Sequence, residues 1–334
     1  MRENIYNNFY DKEIYDKVNN DNKLLLEDYL LELKQNKKSA GTISQYRSDA
    51  RGLFCYIYKR LENKSVLELT KRDFRTYSLY LTDECHVSSA RHNRMLSAIR
   101  SMLTFAENED DYDYDNNVSK KVKGLGKEPV REIFFLTDEQ IMKLKNELIR
   151  KKDYQKAVLL MLAYDSAGRK AELGGVEKHS FYDITKSNTN KVIGKRHKIF
   201  NLVYFSGTKE CAKLWLEQRG EDNIDSMWII GEGDHKRSAD CNNLYDWFMN
   251  MRDLLASLEN REFDFNVHSI RHSCLQNLSD GSHYICKELG MTNGFPIAKL
   301  KLIANHDNID TTQHYLKDTS VDELAEMFHI KIEN

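Results

Sequence analysis

The stretch from His268 to Tyr315 opens with H-S-I-R-H at 268–272 and closes with N-H-D-N-I-D-T-T-Q-H-Y at 305–315. Arg271 follows His268 by three residues, and Tyr315 follows His306 by nine. Such a set suits chemistry on a phosphodiester. A guanidinium grips anionic oxygens. Imidazoles move or donate protons, and a phenol can attack phosphorus. The expectation is that the rest of the chain brings DNA to Tyr315.

Upstream, Tyr154–Tyr164 is strongly apolar and predicts a central core helix. D-S-A-G-R-K-A-E-L follows at 165–173 and puts Arg169 and Glu172 on one helix face, where Glu172 can orient the guanidinium. Residues 180–206 alternate and are rich in β-branched and aromatic types, the pattern of a small sheet. Lys195, in G-K-R-H-K, falls at its hairpin turn, with Lys198 three residues on. Thr137 with Gln140 reads as a capping box opening the second domain. Ile297–Ile303 reads as a helix that delivers His306. Ser320 with Glu323 reads as another capping box, with an apolar stripe of Val321, Leu324 and Phe328.

The front of the chain is helical throughout. Leu24–Leu33 has apolar residues at helix spacing. Thr42 is the expected cap of a helix through Ala50 and Ile57, carrying Arg47 and Arg51 on another face. Thr70 with Asp73 caps a third helix, and Ser88 or Ser89 a fourth, on which Arg91 and Arg94 lie one turn apart. Arginines so placed can reach phosphates or base edges. The expected organisation is an arm at 1–22, an all-α domain at 23–115, a linker at 116–132, a second domain at 133–318 and a tail at 319–334. The fold class is mainly α with a small antiparallel sheet.

The 334 residues suffice for two domains. The six cysteines form no C-x-x-C pair, which argues for reduced thiols and against a structural zinc site. No histidine or cysteine cluster suggests any metal. No run is apolar enough for a membrane span, and the first residues lack the apolar stretch of a secretory signal. A cytoplasmic protein is expected. Net charge is only −2, yet Lys34–Arg100 holds 14 basic against 6 acidic residues, while six of the nine residues Glu107–Asp115 are acidic. Binding follows local potential rather than the total, so a DNA partner fits.

With these motifs assembled, the chain resembles the tyrosine recombinases, the family of phage integrases and Xer- and Cre-type enzymes. A-G-R-K-A-E-L is similar to that family's first arginine box, G-K-R-H-K to its hairpin lysine, H-S-I-R-H to its H-x-x-R box, and N-H-x₈-Y to its histidine–tyrosine spacing. The resemblance implies transesterification without metal, ATP or other cofactor. Tyr315 would attack the scissile phosphate to leave a 3′-phosphotyrosine. Arg169, Arg271 and His306 would hold the non-bridging oxygens. His268 would act as general base toward a phenol whose reference pKa is about 10. Lys195, or Lys198 beside it, would protonate the leaving 5′-oxygen. Glu172 and His272 would support the site. Arg47, Arg51, Arg91 and Arg94 would meet DNA. The tail would dock on a neighbouring copy of a homotetramer working through a Holliday junction. The alternatives are a type IB topoisomerase-like nicking–closing enzyme and a non-catalytic DNA-binding accessory protein. The chain departs from the family in the long Arg271–His306 interval, with the excess near Gly281–Pro296, and in Asn305 where glycine is usual.

Overall fold

The computed structural model describes residues 9–126, 133–291, 293–313 and 315–316, apart from the side chains of residues 196, 309 and 310. The chain divides into two compact units, Met1–Val130 and Arg131–Asn334. The tail expected to dock on a neighbour, 319–334, lies outside the described residues, as does His314.

The first unit is all-α. Its helices are Lys12–Asp16 (α1), Asn20–Gln35 (α2), Ala40–Arg60 (α3), Lys71–Leu79 (α4) and Ser89–Asn108 (α5). Leu26, Leu53, Phe54, Ile57, Phe74, Met102 and Leu103 meet in a fully buried core. Thr70 and Asp73 form the reciprocal capping box, and Ser88 caps α5. The cap of α3 is Ser39 rather than Thr42. The Ser39 hydroxyl accepts the Thr42 N–H at 3.2 Å, so Thr42 already lies inside the first turn.

The segment read as a linker is folded onto this unit as far as it is described. Asn117, Ser119 and Val122 are buried. Asn117 Nδ2 donates to the Arg100 carbonyl at 3.1 Å and to Thr104 Oγ1 at 3.0 Å. Asn93 pairs with both backbone groups of Leu125, at 2.8 and 2.9 Å. Polar residues around a glycine resemble a free connector in sequence. Here they are consumed by partners on α5 that lie 13 to 32 residues away.

The second unit is built on Tyr154–Ser166 (α7), which follows Asp138–Arg150 (α6) and its Thr137–Gln140 capping box. Every residue from Ala157 to Ser166 is buried. Each fully buried Leu, Val or Met there contributes about 1.5–3 kcal/mol relative to exposure. Lys170–Gly174 (α8) leads to Asn188–Ile193 (β1) and Ile199–Val203 (β2), an antiparallel pair in which Val192 faces Phe200 and Ile193 faces Ile199. Ser206–Arg219 (α9) packs on α7. Ile229–Ile230 (β3) pairs with Arg237–Ser238 (β4), and Cys241–Glu259 (α10) follows. Val267–Asp280 (α11) also packs on α7. It begins before His268, so the H-x-x-R box is the first turn of this helix rather than its approach. Tyr284–Glu288 (α12), Ile297–Ile303 (α13) and Ile309–Gln313 (α14) complete the described elements.

The long interval after Arg271 is tied into the core. The Tyr284 hydroxyl donates to Asp165 Oδ1 at 2.8 Å, and the Tyr284 N–H donates to Asp138 Oδ1 at 2.9 Å. Asp165 is fully buried and also accepts from Thr208 Oγ1 and the Phe205 N–H; its burial pushes the carboxyl up to about 6. No helix among the described residues is long and apolar enough to cross a membrane.

Candidate active site

Four pieces of backbone converge on one cluster: the turn before α8, the β1–β2 hairpin, the start of α11 and the stretch from α13 to Tyr315. Ala167 ends α7 in the left-handed region, with φ +49°. That turn frees its carbonyl, which accepts from Arg271 Nη1. A Cβ on the next residue, Gly168, would meet Leu173 Cδ2 at 2.9 Å and Ser166 Oγ at 3.0 Å, so a larger residue there would have to displace these buried side chains. Arg169 then opens α8. Its N–H donates to Glu172 Oε2 at 2.8 Å, and its Nη1 reaches Glu172 Oε1 at 2.9 Å. Glu172 is buried, so this is more than the surface pair that i,i+3 spacing usually means.

The hairpin closes over the same carboxylate. A Cβ on Gly194 would lie 2.5 Å from the Phe200 ring and 3.0 Å from Glu172 Oε1. Glycine there lets the strand approach, and Lys195 follows in a 3-10 turn. Lys195 and Lys198 line an open cleft of about 330 Å³ together with Arg169 and His306. The two lysines differ in company. Lys198 Nζ is paired with Asp307 Oδ1 at 2.8 Å, whereas no ion pair of Lys195 is seen among the described residues. A larger cleft, about 710 Å³, lies beside Lys178 and Leu216, but Lys178 there is already paired with Asp222.

Arg271 is the centre of the cluster. It is buried, and its Nη2 donates to the Ala304 carbonyl at 2.7 Å and meets His306 Nε2 at 2.7 Å. Among the described residues its Nε has no hydrogen-bond partner. No carboxylate pairs with it among the described residues. Burial and the neighbouring Arg169 lower its pKa, although a guanidinium keeps its proton in proteins. His306 is held from its other side by Thr312 Oγ1, at 3.0 Å from Nδ1. Burial, with Arg271 and Arg169 nearby, lowers His306 to about 4.

Tyr315 sits on this cluster within the same chain. Arg271 Cζ lies 5.1 Å from its ring centroid, and the His306 ring is 5.2 Å away. The imidazole stacked on it is that of His272, at 4.3 Å, and His272 Nδ1 also meets the Tyr315 carbonyl at 3.1 Å. The Tyr315 N–H donates to the Thr312 carbonyl at 2.9 Å. His268 is on the exposed side of the first turn of α11. Partial burial, with Arg271 and Arg169 close by, lowers its pKa. It is therefore neutral and able to accept a proton at neutral pH.

Arg169, Lys195, Arg271, His306 and Tyr315 are thus brought to one place, with His268 at its edge and Glu172 and His272 beneath. Thr312 was missed in the sequence. Its only signal there is a hydroxyl three residues before Tyr315, in a T-T pair that any solvated helix can carry.

The proposed DNA contacts of the first unit are differently placed. Arg94 forms a two-point pair with Asp49, at 2.9 and 3.3 Å. The Arg51 guanidinium lies 4.9 Å from the Tyr15 ring centroid, and that of Arg91 lies 4.9 Å from that of Phe9. Arg47 is half-buried on α3.

Comparison with known proteins gives a consistent result. Residues 135–320 match the phage integrase family, and residues 26–110 match the phage integrase N-terminal SAM-like domain. An SPbeta prophage-derived recombinase-like protein, YomM of Bacillus subtilis (strain 168), is 24% identical over 288 residues, covering 82% of this chain and 81% of that protein. A lambda integrase tetramer bound to a Holliday junction is similar in fold, with 13% identity, a TM-score of 0.64, and coverage of 89% of this chain and 77% of that one. XerH site-specific recombinase bound to its palindromic difH substrate is similar too, with 13% identity, a TM-score of 0.62, and coverage of 88% and 81%.

Proposed function

This chain belongs to the phage integrase family, and from that premise we propose that it is a site-specific DNA recombinase acting through a phosphotyrosine. The observation that carries this reading is Arg271. A buried guanidinium with no carboxylate partner costs several kcal/mol in desolvation. Protein carbonyls and an imidazole recover part of that cost, and an incoming phosphate supplies the missing charge. Arg169 adds a second guanidinium on the open side. Tyr315, in cis, attacks phosphorus while His268 takes its proton. The bond to the 5′-oxygen breaks, and Lys195 protonates that oxygen as it leaves. We assign the leaving-group proton to Lys195 rather than Lys198 because Lys198 is engaged by Asp307. Covalent attachment conserves the ester, so rejoining to a new 5′-hydroxyl needs no ATP.

The likeness to a lambda integrase tetramer on a Holliday junction supports the same assembly here. In this reading the 319–334 segment docks on the neighbouring copy, and Arg47 on the first unit meets the target duplex. Incubation with the DNA flanking the gene, followed by a denaturing gel, tests the chemistry. Wild type forms a protein–DNA adduct without added metal; Tyr315→Phe binds the same DNA and forms none. An adduct persisting in Tyr315→Phe removes Tyr315 as nucleophile. Supercoil relaxation by a monomer without strand exchange would instead indicate a nicking–closing enzyme.

A further inference from the structure

His306 is held at both ring nitrogens. Nε2 lies 2.7 Å from Arg271 Nη2, and Nδ1 lies 3.0 Å from Thr312 Oγ1. A guanidinium has donors and no acceptor. Nε2 must therefore be the acceptor of that contact, and in the neutral ring the proton sits on Nδ1. Only an oxygen can receive it there, and Thr312 provides one. Turning the ring over would put carbon atoms against both partners, so the two contacts fix the orientation together. Thr312 is fully buried, so its hydroxyl meets His306 away from bulk solvent. The same residue's carbonyl accepts the Tyr315 N–H at 2.9 Å.

We propose that Thr312 is a positioning residue that holds His306 in its Nδ1–H form, so that Nε2 faces Arg271 as an acceptor until a phosphate arrives. This deepens the recombinase reading and rests on it for its consequence in catalysis. In the DNA-free protein His306 is not poised to donate to a phosphate oxygen, because its one proton is turned toward Thr312. It becomes a donor at Nε2 only by gaining a second proton. Arg271, Arg169 and Lys198 oppose that proton, and Asp307 and an incoming phosphate favour it. Engagement of the phosphate therefore takes up one proton at Nε2, while Nδ1–H stays on Thr312. The hydroxyl sets which nitrogen faces the phosphate, and the carbonyl keeps the Tyr315 backbone in register with it.

The test is long-range ¹H–¹⁵N correlation on the full chain with ¹⁵N-labelled histidine, without DNA, at neutral pH. The His306 signals are identified by their loss in His306→Gln. The expected wild-type pattern is a protonated Nδ1 and an unprotonated Nε2. Thr312→Val, which keeps the shape and removes the hydroxyl, should weaken that bias, because the Nδ1 proton loses its acceptor while the Arg271 contact stays; Thr312→Ser should restore it. A protonated Nε2 in wild type overturns the proposal without reference to any variant. So does an unchanged Nδ1–H form in Thr312→Val. Adduct formation with DNA should fall about 10- to 100-fold in Thr312→Val and recover in Thr312→Ser, as expected when a reacting group is misplaced. If no adduct forms on any DNA, the recombinase reading fails, whereas the tautomer measurement stands or falls separately.

Discussion

The arginines of the two units look alike in sequence and live differently. In the first unit, Arg94 faces the buried carboxylate of Asp49, and Arg51 and Arg91 lie over Tyr15 and Phe9. In the second, Arg271 is more deeply buried, yet its partners are two carbonyls and a neutral imidazole. Arg94, matched to the buried Asp49, ties α5 to α3; Arg169, though paired with the buried Glu172, also lines the cleft beside His306. An arginine matched only to neutral acceptors keeps its charge for a ligand. Counting basic residues along α5 therefore includes Arg94, whose charge already meets Asp49, whereas Arg271 meets no carboxylate among the described residues.

The comparison can be broken at its strongest point first. Arg271→Lys keeps a charge but cannot span the Ala167 and Ala304 carbonyls and His306 together. Cleavage, read as adduct yield over time, should fall by roughly 10²–10³, the loss typical of removing one aligned donor to a transition-state anion. Near-normal cleavage would show that the two-sided guanidinium is not needed.

A smaller effect sharpens the contrast from the other side. Arg94→Ala strands Asp49, whose pKa burial already raises, and should lower stability by about 1–3 kcal/mol in denaturant melts. It should leave the salt dependence of DNA binding unchanged. Arg47→Ala should do the reverse, with stability kept and the salt slope reduced by about one. Identical salt slopes in the two variants would erase the distinction between a structural and a DNA-facing arginine.

The smallest expected effect is in acid. His306 is held near about 4, below the ordinary histidine value of 6.5. Between those values the unfolded chain carries the proton and the folded chain does not, so stability falls as pH drops from about 6.5 to 4. Asp165, raised to about 6, works in the opposite sense: its folded form binds the proton more tightly, and stability falls as pH rises from about 4 to 6. His306→Gln should lose only the first contribution. Identical melts of this variant and wild type from pH 7 to 4.5 would mean that burial, with Arg271 and Arg169, does not hold the imidazole neutral.

Much of the architecture was legible along the chain because its causes are local. The Thr70–Asp73 and Thr137–Gln140 boxes are helix starts at three-residue spacing. The long apolar run of α7 is a core helix, and β1 and β2 pair as an antiparallel hairpin with an irregularity between Asn188 and Lys191. The failures were also local in appearance. Thr42 is as good a cap as Ser39, and only the backbone shows which hydroxyl stands at the turn. The segment after Asp115 reads as a tether because Asn93, which grips Leu125, lies 32 residues upstream. The excess near Gly281–Pro296 holds a short helix, α12, and its anchor is not legible locally because the carboxylate receiving Tyr284 lies 119 residues away.

The sequence by itself determined which chemical groups are present and which of them share a helical turn. Arg169 with Glu172 follows from helical spacing, whereas that His268 and Arg271 share the first turn of α11 is a finding of the structure. Tertiary structure alone decided which guanidinium meets a carboxylate, which imidazole stacks on Tyr315, and which groups flank the two nitrogens of His306. Those outcomes depend on pairs of residues far apart in the chain. Charge neutralisation and tautomer choice act over a few ångströms, a distance that sequence separation does not measure.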